Sequence, residues 1–199
     1  MIVVDIETSG LDSKENGLWQ IGALDFYNPD NTFLEESRID DEDQISKEAL
    51  LVIGKTEEQL RDSKKQSQKE LLEKFFKWIE SVETKNIVCQ NFFDYIWLTS
   101  KAKKYDLKVP FHHRSFDLHS IAQAVYAKTN GNFLFEKKEN TYSGMNLTKI
   151  LEFCGMEDKR IKIVKGEITE QGSPHNALED VKLEAECLSR LIYGKKFTF

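Results

Sequence analysis

Proline occurs three times and glycine ten times in 199 residues, and no stretch is rich in Pro, Gly or Ser, so nothing reads as a linker. One domain over residues 1–199 is the expectation. Cysteine is as sparse: Cys89, Cys154 and Cys187 form no CxxC pair and leave an odd one over. That argues against a disulfide framework and a thiolate metal site, and for small buried hydrophobes. No long uncharged apolar segment is present, which excludes a membrane-spanning helix. The opening residues carry Asp5 and no basic lead, so a signal peptide is not expected and the chain reads as cytoplasmic. An excess of positive charge is missing too. A net charge of −6 leaves no overall basic field to hold a long nucleic acid backbone, so such a substrate would be gripped locally, at an end.

What the chain does have is a core: 40% apolar residues with 11% aromatics are incompatible with disorder. Residues 18–27 (LWQIGALDFY) and 32–39 (TFLEESRI) are strand-like, with Asn28-Pro29-Asp30-Asn31 as the turn between them by residue type. Leu71, Leu72, Phe75, Phe76, Ile79 and Val82 recur at helical spacing. Ile87-Val88-Cys89 reads as a short buried strand, and the chain turns helical again from Phe93. A short strand at 114–117 leads into a helix to about residue 128. Residues 129–145 lack a period and read as a mobile loop. Leu147, Ile150, Leu151 and Cys154 mark a helix ended by Gly155. The last helix is expected to start at Ser173-Pro174 and run to Gly194. Strands and helices therefore alternate, the pattern of an α/β fold.

The chemistry begins in the first strand, MIVVDIETSG. Asp5 and Glu7 lie two apart, so they share a face and repel unless a cation sits between them. Alone, Asp-x-Glu also describes a strand running out into solvent. Asp94 follows a buried strand and opens a helix, at the carboxyl end where α/β sheets collect ligands; a first-turn acid favoured by the helix dipole has the same appearance. Asp180, in Ser173-Pro174-His175-Asn176-Ala177-Leu178-Glu179-Asp180, flanks the apolar stripe of Ala177, Val181, Ala185, Leu188 and Ile192 rather than facing away from it.

In this order, DIETSGL at 5–11, Phe93-Asp94, and His175 with Asp180 as H-x4-D resemble the three motifs of the DEDD-type 3′-to-5′ exonucleases, His subclass. This is the family of DnaQ-like proofreading subunits, RNase T and oligoribonuclease. Trp19 to Leu24 resembles the family's second strand, Ile53-Gly54-Lys55-Thr56 its segment before the first long helix, and Asn146-Leu147 with Leu151 its penultimate helix. The Tyr subclass would place Tyr four residues before Asp180, where this chain has Asn176. The middle motif departs from the usual His-Asn-x-x-Phe-Asp: here it reads Cys89-Gln90-Asn91-Phe92-Phe93-Asp94, with Gln90 in the Asn place.

The resemblance implies an RNase H-like fold, with a mixed five-stranded sheet flanked by helices. It implies metal-dependent removal of nucleotides from single-stranded 3′ ends as nucleoside 5′-monophosphates. Asp5, Glu7, Asp94 and Asp180 would hold two metal ions and His175 would take the proton from the attacking water. Four acids without Cys or paired His make a hard-oxygen site that favours Mg²⁺ or Mn²⁺ over Zn²⁺. Thr8, Ser9, Gly10, Leu11 and Gln90 are the substrate contacts by the same resemblance. The partner implied is a DNA or RNA 3′ end and no membrane, with a homodimer or a polymerase-type partner left open. The competing class is a non-catalytic RNase H-like scaffold or partner-binding module, whose mark would be loss of one of the acids or of His175; all five are present. His112 and His113 lack partner ligands and read as a solvated loop. Asp117 reads as an N-cap, and the lysines of KAKK at 101–104 and Lys137-Lys138 read as solvated faces. Phe197 and Phe199 are aromatic tail residues free to dock on the domain or a partner.

Overall fold

The computed structural model describes residues 1–137, 140–164 and 166–199. Strands β1 (Ile2–Thr8), β2 (Leu18–Asp25) and β3 (Asn28–Glu36) form an antiparallel meander. After α1 (Lys47–Ile53), α2 (Glu57–Leu60) and α3 (Gln68–Glu80), the chain returns through β4 (Ile87–Cys89), parallel to β1. It then crosses by α4 (Phe92–Lys104) to β5 (Phe116–Asp117), parallel to β4. The result is a mixed five-stranded sheet in the order β3-β2-β1-β4-β5. The rest comprises α5 (Leu118–Asn130), a hairpin of β6 (Phe135–Lys137) and β7 (Thr141–Ser143), α6 (Leu147–Phe153), a second hairpin of β8 (Lys162–Val164) and β9 (Glu167–Glu170), and α7 (Ala177–Tyr193). Among the described residues no helix is long and apolar enough to cross a membrane.

Strand β1 organises both layers, because its side chains alternate between faces. Ile2, Val4 and Ile6 pack with Leu71, Phe75, Trp97 and Leu98 of α3 and α4. Met1 and Val3 pack on the other side with Val181, Ala185 and Leu188 of α7 and residues of α5 and α6. Continuing the odd series places Asp5 and Glu7 on the α7 side. On β2, Gly22 pairs with Asp5 and Gln20 with Glu7. A Cβ on Gly22 would lie 2.3 Å from backbone atoms of Ala177 and Leu178, so only glycine lets the start of α7 rest on the sheet there. Gln20 Oε1 accepts from Ala177 N at 2.8 Å and satisfies a first-turn donor of α7. Thus Trp19-Gln20-Ile21-Gly22 docks the helix carrying Asp180 beside the strand carrying Asp5 and Glu7.

Several boundaries differ from expectation. The first hairpin turns at Phe26-Tyr27, with Asp25 Oδ1 accepting from Tyr27 N at 3.1 Å. Asn28-Pro29-Asp30-Asn31 is not the turn but the opening of β3. The pairing passes from Asp25↔Asn28 directly to Leu24↔Thr32, so the turn-type residues bulge from an edge strand, where Pro costs no ladder bond. The last helix starts at Ala177 rather than Ser173-Pro174. Asn176 outcompetes Ser173 as the cap because its side chain accepts from both Leu178 N and Glu179 N, whereas Ser173 is engaged in a bridge with Arg160. The 129–145 stretch holds the end of α5, the left-handed Gly131 and the β6–β7 hairpin rather than a structureless loop; residues 138 and 139 lie outside the described residues. Asp117 caps α5 as expected, His112 and His113 are exposed, and Phe197 docks on Phe26 at 4.8 Å. Cys89 and Cys187 are buried and Cys154 is partly so.

The KAKK tract is not uniformly solvated. Lys101 is fully buried, with Nζ donating to Asn16 O and lying 3.6 Å from Asp43 Oδ1. Helical spacing alone puts Lys101 on the Leu98 side of α4, and long aliphatic stems tolerate burial when the ammonium meets partners. Lys137 is exposed, and Lys138 lies outside the described residues.

Candidate active site

A cleft of about 550 Å³ opens at the carboxyl ends of β1 and β4 and is lined by Asp5, Glu7, Asp94, Asp180 and His175 together with Gln90. Three elements deliver the acids. β1 presents Asp5 and Glu7 on its α7 face, the first turn of α4 presents Asp94, and the first turn of α7 presents Asp180. Glu7, Asp94 and Asp180 are all buried. Glu7, His175 and Asp180 each offer a ligand atom within 4.8 Å of the others. His175 precedes α7 and is anchored by its backbone N–H donating to Val52 O at 2.9 Å; its Nδ1 lies 3.2 Å from Asp180 Oδ2.

Packing like charges into a cleft where most of them are buried changes their acidity. Burial first, then the charges of Asp94, Glu7 and Asp180, holds the Asp5 carboxyl well above its ordinary value. Burial, then Asp180 and Asp94, does the same to Glu7, against the pull of Arg160. Asp94 is pushed up to about 7 by burial, although backbone groups at Asp94 and Ile6 work the other way. Glu7 Oε1 is buried without a hydrogen-bond partner among the described residues. A divalent cation fits this set: the donors are hard oxygens, at least one is orphaned, and the repulsion that raises their acidity constants is what such an ion relieves.

Three cleft residues escaped the sequence reading. Arg160 forks onto Asp158, with Nε to Oδ1 at 2.9 Å and Nη2 to Oδ2 at 3.0 Å, and its Nη1 donates to Asp180 Oδ2 at 3.2 Å. Asp158 is partly buried, which works against ionisation, yet hydrogen bonds from Arg160 and Thr148 hold its carboxyl well below the usual range. Glu184 follows Asp180 by one helical turn and is fully buried. An i, i+4 acid on the inner face of the last helix was the available signal for Glu184; for Asp158 and Arg160, in an irregular segment, there was none.

The first turn is more structural than expected. Ser9 Oγ donates to Gln44 O at 2.6 Å and accepts from Gly17 N at 2.8 Å, while Ser9 N donates to Gly17 O and Ser9 O accepts from Ser46 N. Its polar groups are thus spent inside the protein. Gly10 is required by a close neighbour, since a Cβ there would lie 2.5 Å from the Asn16 amide. Thr8 Oγ1 donates to Gly10 O at 2.6 Å, and Leu11 projects outward, 85% exposed. Gln90 Oε1 accepts from Asn91 Nδ2 at 2.6 Å. Thr8 to Leu11 lie outside the cleft's lining, so the cleft brings together the acids, His175 and Gln90 but not this segment.

The model of the RNase T exonuclease family matches residues 2–188. The chain belongs to that exonuclease family. No curated protein matches it in sequence. Among solved structures, cell-death related nuclease 4 shares 17% identity and a TM-score of 0.69, covering 98% of this chain and 64% of that one. The nuclease domain of 3′hExo, a DEDDh family member bound to rAMP, shares 17% identity and a TM-score of 0.66, covering 100% and 94%. E. coli exonuclease I in complex with a dT13 oligonucleotide shares 16% and 0.69, covering 95% of this chain and 40% of that one. At such identities the likeness shows the RNase H-like fold, and this chain spans under two thirds of the first and under half of the third. Family membership carries with it dependence on a divalent metal.

Proposed function

We propose that the chain is a metal-dependent 3′-to-5′ exonuclease that hydrolyses phosphodiester bonds at single-stranded nucleic acid 3′ ends and releases nucleoside 5′-monophosphates. The observation that carries this reading is the convergence of Asp5, Glu7, Asp94 and Asp180 with His175 in one cleft at the strand ends. Mg²⁺ or Mn²⁺ held by those four carboxylates would supply positive charge to the phosphoryl oxygens and acidify the attacking water. His175 receives the proton of that water. His175 Nδ1 lies 3.2 Å from Asp180 Oδ2, so Nε2 is the ring nitrogen assigned to accept the proton, and the charge of Asp180 steadies the imidazolium that follows. Arg160, clamped by Asp158, fixes the rotamer of Asp180.

Outside the acids the surface offers little to a long phosphate backbone, because Lys149 and Lys162 at the cleft are paired with Glu152 and Glu170. Affinity then rests on the last one or two nucleotides, with Leu11 as a surface against a base, Thr8 and Gly10 shaping its turn and Gln90 offering an amide. Turnover is distributive, and duplex ends react slowly because they must first unpair. The test is a time course on matched DNA and RNA oligomers carrying a 5′ label, with free or phosphorylated 3′ ends. Stepwise shortening from free 3′ ends to 5′-mononucleotides supports the reading, and efficient cleavage of the blocked strand or of a circle refutes the polarity.

A further inference from the structure

Glu184 is the least satisfied charged side chain in the cleft. It lies on α7 one turn beyond Asp180, so the two carboxylates stack on the same side of the helix. It is 0% exposed, lines the cleft with Asp5, Asp94 and Asp180, and both its carboxylate oxygens are buried without a hydrogen-bond partner among the described residues. Its helical neighbours Val181, Ala185 and Leu188 are core residues, so an apolar side chain would serve packing at this position better than an acid. The nearby guanidinium does not meet the need: Arg160 is committed to Asp158 and Asp180. Two residues on, Glu186 shows what a structural glutamate on this helix looks like. It accepts from Arg190 Nε at 2.6 Å and from Phe197 N at 2.7 Å.

We propose that Glu184 is a fifth carboxylate of the cation site, supplied by α7 next to Asp180 and aimed at the same divalent ions. The inference rests on the cation-dependent reading above. Extending the donor set along the helix brings a second acid to the ion on the α7 side, where Asp180 is already shared with Arg160 and His175. It also accounts for a buried acid that the described residues leave without a donor.

The test is calorimetric titration of the metal-free protein with Mn²⁺, without substrate. Glu184→Gln, an isosteric neutral change, is expected to weaken Mn²⁺ binding by roughly 10–100-fold while the metal-free melting temperature stays level or rises. Glu184→Leu, which suits the surrounding core, provides a second folded variant with the same expected loss. Glu186→Gln is the control: it should lower the melting temperature and leave Mn²⁺ affinity within twofold. Unchanged affinity in both Glu184 variants, or an equal loss in Glu186→Gln, overturns the proposal while leaving the exonuclease reading standing. Absence of Mn²⁺ binding by the unaltered protein overturns both.

Discussion

Two buried polar clusters sit in this protein, and they are built on opposite principles. Around Lys101 and Asp43 charges of both signs meet, and hydrogen bonds hold one of the two Asp43 oxygens. Gln68 Nε2 donates to Asp43 Oδ2 at 2.7 Å, Asp40 N donates to the same oxygen at 2.9 Å, and Gln68 Oε1 accepts from Leu18 N at 2.7 Å. Lys101 adds its contacts to Asn16 O and to the Trp97 ring at 5.4 Å. In the cleft, charges of one sign dominate, and carboxylate oxygens of Glu7 and Glu184 have no donor among the described residues. The first cluster has its charge compensated by the protein itself, Asp43 Oδ1 facing Lys101 and Lys104 at 3.6 and 3.7 Å; the second requires a cation from outside. Depth of burial therefore separates structure from function less well than does the sum of local charge and hydrogen bonds.

The widest separation between the two should appear in activity. Asp5→Asn or Asp94→Asn is expected to lower nuclease activity by at least about 10³-fold in Mg²⁺ or Mn²⁺, with the metal-free melting temperature unchanged or higher because a repelling charge is gone. A loss of fold in these variants would erase the contrast. Next in size, His175→Gln should slow turnover at neutral pH by roughly 10²–10⁴-fold while retaining Mn²⁺ affinity in calorimetry; a collapse of affinity would make His175 a ligand instead of the base.

The reverse pattern is expected in the other cluster. Lys101→Met removes the nearer of the two ammonium groups beside buried Asp43, at 3.6 Å against 3.7 Å for Lys104, so urea unfolding should show a cost of about 3–5 kcal/mol, with kcat per folded molecule little changed. If stability is untouched, the cluster is not the compensated unit described above. Smallest is the pH effect on the metal-free protein. The folded-state values of Asp5, Glu7, Asp94 and Glu184 are raised, so the folded state binds more protons than the unfolded chain, and stability falls as pH rises from about 5 through about 7, where Asp94 ionises. Thermal melts in chelator should therefore be higher at pH 5.5 than at pH 8, and Mg²⁺ or Mn²⁺ should restore the difference at pH 8. A flat profile in chelator would mean that the acids do not repel.

Local pattern carried much of this. The alternation in MIVVDIET puts Asp5 and Glu7 on one face, the apolar recurrences locate α3 and α6, and the order of the motifs identifies the family. Those features depend on neighbours a few residues apart, where backbone geometry alone sets which side chains share a face. Boundaries were less legible. Ser173-Pro174 and Asn28 to Asn31 have the residue types of a helix start and a turn, but bridging to Arg160 and edge-strand pairing decided their use.

What the sequence by itself determined is the four motif acids Asp5, Glu7, Asp94 and Asp180, their order and the family. What only the tertiary structure decided is which charges are compensated. Lys101 is buried because Asp43 and Asn16 arrive from distant parts of the chain, and Glu184 is unsatisfied because Asp94 and Asp5 arrive beside it with charges of the same sign. Electrostatic energy depends on distance and on the exclusion of water, and both are set by long-range packing. A linear pattern holds neither quantity.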